Sequence, residues 1–266
     1  MTYLDEEGFL ADDLEAFCQK VRGKYAPWLA EARAHNRVAT AAQFSIRVHR
    51  ESAQELSCSA LYIRVLAYTQ TALLLVERGL VSPARAILRC AVEALFNLRA
   101  CARDSKTALA FLDADLVSRK KTGEYLQQVR SSSLKAQIAD DHVPEHLATL
   151  ANEIEALDAK KLQTRQLAQI ADLEDWYLLT YAYLSSSVHS TARDLEEYFE
   201  VDPDGDVAGL VKEPSSHGLG LFITLAVEIQ SLALEAIAKV FDIWLDPAGE
   251  AHFKALQELN VPDISG

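Results

Sequence analysis

The stretch Ser82-Pro-Ala-Arg-Ala-Ile-Leu-Arg-Cys-Ala-Val-Glu-Ala-Leu-Phe-Asn-Leu-Arg-Ala-Cys-Ala-Arg103 decides how this chain is read. Ser82 offers a helix cap and Pro83 suits a first turn, where its missing N–H costs nothing. No breaker follows before Arg103, so the spacing predicts one helix over the whole stretch. From Ala84 to Leu98 every position is Ala, Ile, Leu, Val, Cys or Phe except Arg85, Arg89, Glu93 and Asn97, which fall four residues apart. Positions i and i+4 share a helix face, so these four form one polar stripe, with Arg89 and Glu93 able to pair. A helix that is apolar on most of its remaining surface is a buried helix.

The same three-and-four spacing of apolar residues runs outward in both directions, as in Leu10, Leu14, Phe17 and Val21, while strict alternation is almost absent. Upstream it predicts helices from about Leu4 to Arg22, from Pro27 to His49, and from Ala53 to Arg78, the last stopped by Gly79. Downstream, Asp104 or Ser105 opens a helix reaching Arg130, and Ser131-Ser132-Ser133 breaks it. His142 to Lys161 follows with Pro144 in its first turn, then Leu173 to His189, which continues or restarts through Arg193 to Phe199. Ser215 or Ser216 caps a long helix to about Leu245, and Pro247 begins a short terminal one. One passage is strand-like: two short runs flank Asp202-Pro-Asp-Gly-Asp206, which predicts a small hairpin or loop near 199–213.

The expected fold is therefore all-α, a single multi-helix bundle spanning residues 1–266. The helices of 1–50 pack on a core bundle of 53–245, and 247–266 forms a short helix and tail. Composition agrees. Half of the 266 residues are hydrophobic, enough for a substantial core, and glycine (10) with proline (7) makes up only about 6%. Turn-rich sandwiches and barrels need more of both. No internal repeat and no linker-like shift in composition divides the chain.

The net charge is −13, which argues against a protein that coats nucleic acid or an anionic membrane. Its distribution is uneven: residues 1–15 carry −6, residues 16–136 carry +10 and residues 137–266 carry −17. The basic segment holds Arg85, Arg89 and the run Arg119-Lys120-Lys121, so a local phosphate-binding cleft is compatible with an acidic protein. The acidic start, Met-Thr-Tyr-Leu-Asp-Glu-Glu, is not an export signal, and a cytoplasmic location is expected. The longest apolar stretch, Leu219 to Leu245, carries Glu228, Gln230, Glu235, Lys239 and Asp242 at helical intervals and reads as a core helix; no membrane role is expected. Cys18, Cys58, Cys90 and Cys101 lie far apart with no Cys-x-x-Cys or His-x-x-x-His partner, so they read as buried thiols, with no metal and no cofactor. Asp202-x-Asp204-x-Asp206 looks superficially like a calcium loop, but Val207 stands where such a loop needs glycine.

A second polar ladder, Tyr181, Ser185, His189 and Arg193, lies in an aromatic and apolar segment, again at intervals of four. Two buried helices with polar lines incur a desolvation cost unless the lines meet each other, water or a ligand. One reading is architectural: wet faces, or a satisfied internal network that sets helix register. The functional reading is a pocket in which Arg89 supplies fixed charge, Glu93 orients it or accepts protons, and His189 titrates near neutrality. Arg85, Asn97, Lys120, Tyr181, Ser185 and Arg193 are the accompanying ligand-binding candidates.

The Arg89/Glu93 helix, the Arg119-Lys-Lys run and Tyr181-Ala-Tyr-Leu-Ser-Ser-Ser-Val-His189 together resemble an uncharacterised family of bacterial helical proteins that is similar to the HEPN group, over roughly residues 55–245. The resemblance implies a compact helical bundle that dimerises. Many such proteins are metal-independent ribonucleases of toxin–antitoxin, phage-defence and stress systems, whose Arg-x(4–6)-His motif meets across two subunits over a phosphate. This chain departs from that motif, because no arginine stands five to seven residues before any of its seven histidines. Three functions follow. The first is a HEPN-like module that binds a protein partner or ligand through a polar cleft, without established catalysis. The second is an endoribonuclease with His189 as general acid or base and Arg89 or Lys120 on the phosphate. The third is a sensor that clamps a small anion between Arg89 and Arg193. If Arg89, Glu93 and His189 met in one sealed hydrogen-bonding shell, the network would be architectural; an open cleft lined by them would favour binding or catalysis.

Overall fold

The computed structural model describes residues 7–12, 14–129, 143–189 and 191–259, the side chain of Arg193 excepted. The expected break at Ser131-Ser132-Ser133, the helix starts at Leu4 and His142, and the tail beyond 259 lie outside the described residues.

After a 3₁₀ turn at Gly8–Leu10, α1 (Leu14–Lys24) and α2 (Ala26–Gln43) follow almost without interruption, Pro27 sitting in the first turn of α2. Ser52 caps α3 (Ala53–Glu77) by accepting from the Glu55 N–H. Gly79, at φ +70°, turns the chain where few other residues would go. The next helix, α4 (Val81–Arg103), starts one residue before Ser82 with Leu80 at the cap position, so Ser82 lies in the first turn and its hydroxyl is free for another partner. Asp104 ends α4 and caps α5 (Ser105–Gln128), accepting from the N–H groups of Lys106 and Thr107.

Beyond the undescribed stretch lie α6 (Val143–Leu157) and α7 (Thr164–Ile170), a short helix that the apolar spacing does not separate from its neighbours. Helix α8 begins as Glu174–Trp176, widens into a π turn at Tyr177–Tyr181 and resumes as Ala182–Val188. It ends there, with His189 as its C-cap, and α9 (Ala192–Leu195) is a separate turn. The expected hairpin forms: β1 (Phe199–Val201) pairs antiparallel with β2 (Val207–Leu210). Helix α10 (Leu219–Phe241) is capped by Gly218 in the left-handed region instead of by Ser215 or Ser216, and Asp246 caps α11 (Pro247–Glu258).

The molecule is an all-α multi-helix bundle with one very small sheet. Helices α3 and α4 pack along each other and α10 lies across both; α2 covers α10 and α11, while α5, α7 and α8 cover the other side of α4. Leu88, Leu95, Phe96 and Leu98 of α4 are fully buried, each such side chain contributing about 1.5–3 kcal/mol relative to exposure. Helices α3 and α10 are long and apolar enough to cross a membrane by length and composition, a test that core helices also pass. Here Tyr62 and Val65 of α3, and Ile223 and Val227 of α10, are packed inside the bundle.

Candidate functional site

The stripe on α4 faces α8 and the segment after it, and each of its arginines meets carboxylates of the chain itself. Arg89 donates to the Glu93 carboxylate one turn away and to the Tyr181 hydroxyl on α8. Its guanidinium also lies over the Tyr181 ring, 4.6 Å from the centroid. The π turn places Tyr177 parallel to Tyr181, centroids 5.3 Å apart, and Phe96 of α4 packs against both rings. Burial, with help from the Glu93 carboxylate, pushes the Tyr181 phenol above its ordinary pKa, and the Thr164 side chain bonds the same group. It is a neutral phenol under any ordinary condition.

Arg85, one turn earlier, builds a second cluster. It pairs with Glu197 and with Asp194, whose side chain is 3% exposed. Asp194 Oδ1 also accepts from Ser187 Oγ at 2.6 Å, and Oδ2 accepts from Ser82 Oγ at 3.5 Å. The bonds of Asp194 thus tie α4, the end of α8 and α9 together. The Nε atoms of Arg85 and Arg89 are both buried, with no hydrogen-bond partner among the described residues.

Among the described side chains of the second ladder, Tyr181 is the one that bonds to this assembly. Ser185 Oγ donates to its own helix, to the Tyr181 carbonyl at 2.7 Å. His189 lies two turns on, roughly 12 Å along the axis at 1.5 Å per residue. It is exposed, and its ring makes no hydrogen bond or ion pair with Arg89, Glu93 or any other described residue. Arg193 belongs to the separate turn α9, so the four-residue ladder is not one face: α8 stops at Val188. Lys120 is on α5 and pairs with Glu124 at 3.0 Å, beside the ion pair of Arg119 with Asp115.

What opens to solvent is the far end of the stripe. Glu93 and Asn97 line a groove of about 510 Å³ between α4, α5 and α7, closed on its other walls by Asp115, Ser118, Lys161 and Thr164 with Phe111, Leu112, Leu162 and Leu167. Its size is that of a ligand or peptide site, and its polar groups include both charges, an amide and two hydroxyls. Among the described residues, no group of three or more His, Cys, Asp or Glu side chains is arranged to hold a metal ion.

Residues 55–206, from the first turn of α3 to the turn of the hairpin, match a family of unknown function. The chain belongs to the DUF5677 family. The matched DUF5677 segment contains both arginine clusters and the groove, and leaves out α2, α10 and α11. No curated protein and no solved structure matches the chain.

Asp194, Glu197, Ser187, Thr164 and Tyr177 belong to this site and have no place in either ladder. One signal was available for Asp194. Glu93 is within reach of Arg89, but the positions four away from Arg85 are Val81 and Arg89, so a buried Arg85 needs a carboxylate from elsewhere in the chain.

Proposed function

We propose that this DUF5677 protein is a HEPN-like helical binding module that takes a segment of a protein partner in the groove beside Glu93 and Asn97 and does not cleave RNA. The observation that carries this reading is the neutralisation of Arg85 and Arg89. A phosphate-cleaving site needs a cation facing the phosphate, whereas Asp194 and Glu197 occupy one guanidinium and Glu93 and Tyr181 the other. The anion-sensor reading loses its main charge for the same reason. The ribonuclease reading also needs His189, which shares no contact with Arg89.

The groove offers what a peptide backbone and its side chains require: Asn97 donates and accepts, Glu93 and Asp115 accept, Lys161 donates, and the leucines and Phe111 receive apolar side chains. In this proposal the protein is one helical domain that works in the cytoplasm as a homodimer, in a bacterial defence or stress system. Exposed apolar side chains along α8 and the hairpin, among them Leu179 at 72% and Val207 at 64%, support an interface there.

Incubating the purified protein and its His189→Ala variant with total RNA separates the readings. The expected result is intact RNA in both, and co-purification of a defined partner that Asn97→Trp, which fills the groove, abolishes. Cleavage by the parent protein that His189→Ala removes would replace the binding module with the nuclease.

A further inference from the structure

A second cavity, of about 470 Å³, lies between α2, α10 and α11, outside the DUF5677 match. Its chemistry follows from a chain of hydrogen bonds that fixes where each proton sits. Thr69 Oγ1 donates to the Val65 carbonyl at 2.9 Å, so toward Gln230 it is an acceptor. Gln230 Nε2 donates to it at 2.9 Å and to Asn36 Oδ1 at 3.0 Å. Both amide hydrogens are thereby used, and Gln230 Oε1 is left to accept from His35 Nδ1 at 3.3 Å. His35 is 1% exposed, and burial holds its imidazole below the ordinary pKa, in the neutral form. With the hydrogen on Nδ1, Nε2 carries a lone pair and takes the Ser231 hydroxyl hydrogen at 2.8 Å. Ser231 lines the cavity, and its proton is directed inward, so what it turns to the cavity is oxygen lone pairs.

The carboxylates on the cavity wall are used unequally. Glu235 pairs with Arg99, Glu250 with Lys254, and Asp246 caps α11. Glu228, one turn before Ser231, is half-buried and has no hydrogen bond or ion pair with any described residue. Burial raises its pKa, the mark of a carboxylate that lacks a cation. Leu232, Leu245 and Phe253 supply an apolar wall. We propose that this cavity binds a small primary amine with an apolar body, its ammonium held between the Glu228 carboxylate and the Ser231 oxygen. An ammonium has only donors to give and these two groups only accept, while a carboxylate ligand would face like charge and an alcohol would leave Glu228 without its counter-ion.

The test is calorimetric titration of the full chain with hexylamine, hexanol and hexanoate. Hexylamine is expected to bind at least about tenfold more tightly than either analogue. Glu228→Gln, a change of nearly equal volume at a side chain that anchors nothing else, is expected to weaken it by a similar factor with an unchanged circular dichroism spectrum. Lys239→Gln, a control on the same helix outside the cavity, retains binding. Failure of hexylamine to bind, equal binding of hexanol, or undiminished binding to a folded Glu228→Gln variant would each overturn the proposal.

Discussion

The Arg89 guanidinium covers the face of Tyr181 and donates to the hydroxyl of the same ring, while Glu93 takes its other edge. A cation between a π face and a carboxylate is balanced within the fold, and this triad clamps α4 to α8. Tyr181→Phe removes the hydroxyl acceptor but keeps the ring, and is expected to cost about 1 kcal/mol in urea unfolding. Tyr181→Leu also removes the cation–π contact and is expected to cost roughly a further 1 kcal/mol. Equal stability of all three proteins would show that the triad adds nothing to the bundle.

Asp194 is the more consequential partner, because it neutralises a guanidinium that is only 11% exposed. Asp194→Ala leaves Arg85 with Glu197 alone and orphans Ser187 and Ser82, and is expected to cost about 3 kcal/mol. Asp194→Asn preserves the shape and most of the bonds and should cost less than half of that. Chemical denaturation of the two variants, measured side by side, checks the order.

Stability should depend on pH through the cavity of α2, α10 and α11. The unfolded chain protonates His35 near pH 6.5, whereas the folded chain resists until lower pH because the ring is buried. In that window the unfolded state holds more protons, so stability falls as the pH drops below about 6.5. Glu228 has the opposite sign. Its raised pKa lets the folded state keep a proton that the unfolded chain has lost, so its contribution falls as pH rises above the ordinary glutamate value. Glu228→Gln is therefore expected to steepen the loss of stability between pH 6.5 and about 5, read from urea midpoints. A shallower slope than that of the parent would contradict this assignment.

The thiols provide a test of the core. Burial pushes Cys58 and Cys101 up to about 12, and Cys18 is also buried, whereas Cys90 is partly exposed. Iodoacetamide at neutral pH should label Cys90 well ahead of the other three, and all four should react alike in denaturant. Early labelling of Cys58 would mean that α3 and α4 are not packed as described.

The bundle was legible because apolar spacing of three and four is a local property: α3, α4, α5 and the start of α11 lie where it places them, while α10 is a few residues shorter at each end. The α4 stripe was legible for the same reason; Tyr181 stood on the second ladder as a ligand-binding candidate, and its bond to Arg89 comes from the packing of α8 on α4. Arg193 was misplaced on the line of Tyr181, Ser185 and His189 because the ladder assumes an unbroken helix of 3.6 residues per turn, whereas Arg193 stands on the separate turn α9. Helix α8 keeps that register as far as its C-cap, where the His189 N–H still donates to the Ser185 carbonyl, and ends there with no periodic signature to mark the stop. Asp194 and Glu197 come from short turns with no period at all. His35 and Ser231 are 196 residues apart, and only the packing of α2 on α10 brings them together.

In the proposed function the groove beside Glu93 and Asn97 is the working surface of this protein. The most direct test of this reading is site-specific photocrosslinking in bacterial cells from a benzoylphenylalanine placed at Ser118, inside the groove, or at Lys120, outside it. A partner seated in the groove gives one discrete adduct from Ser118, none from Lys120, and loss of the Ser118 adduct when Asn97→Trp fills the groove. An adduct from Lys120 alone, or one from Ser118 that persists in Asn97→Trp, would contradict it.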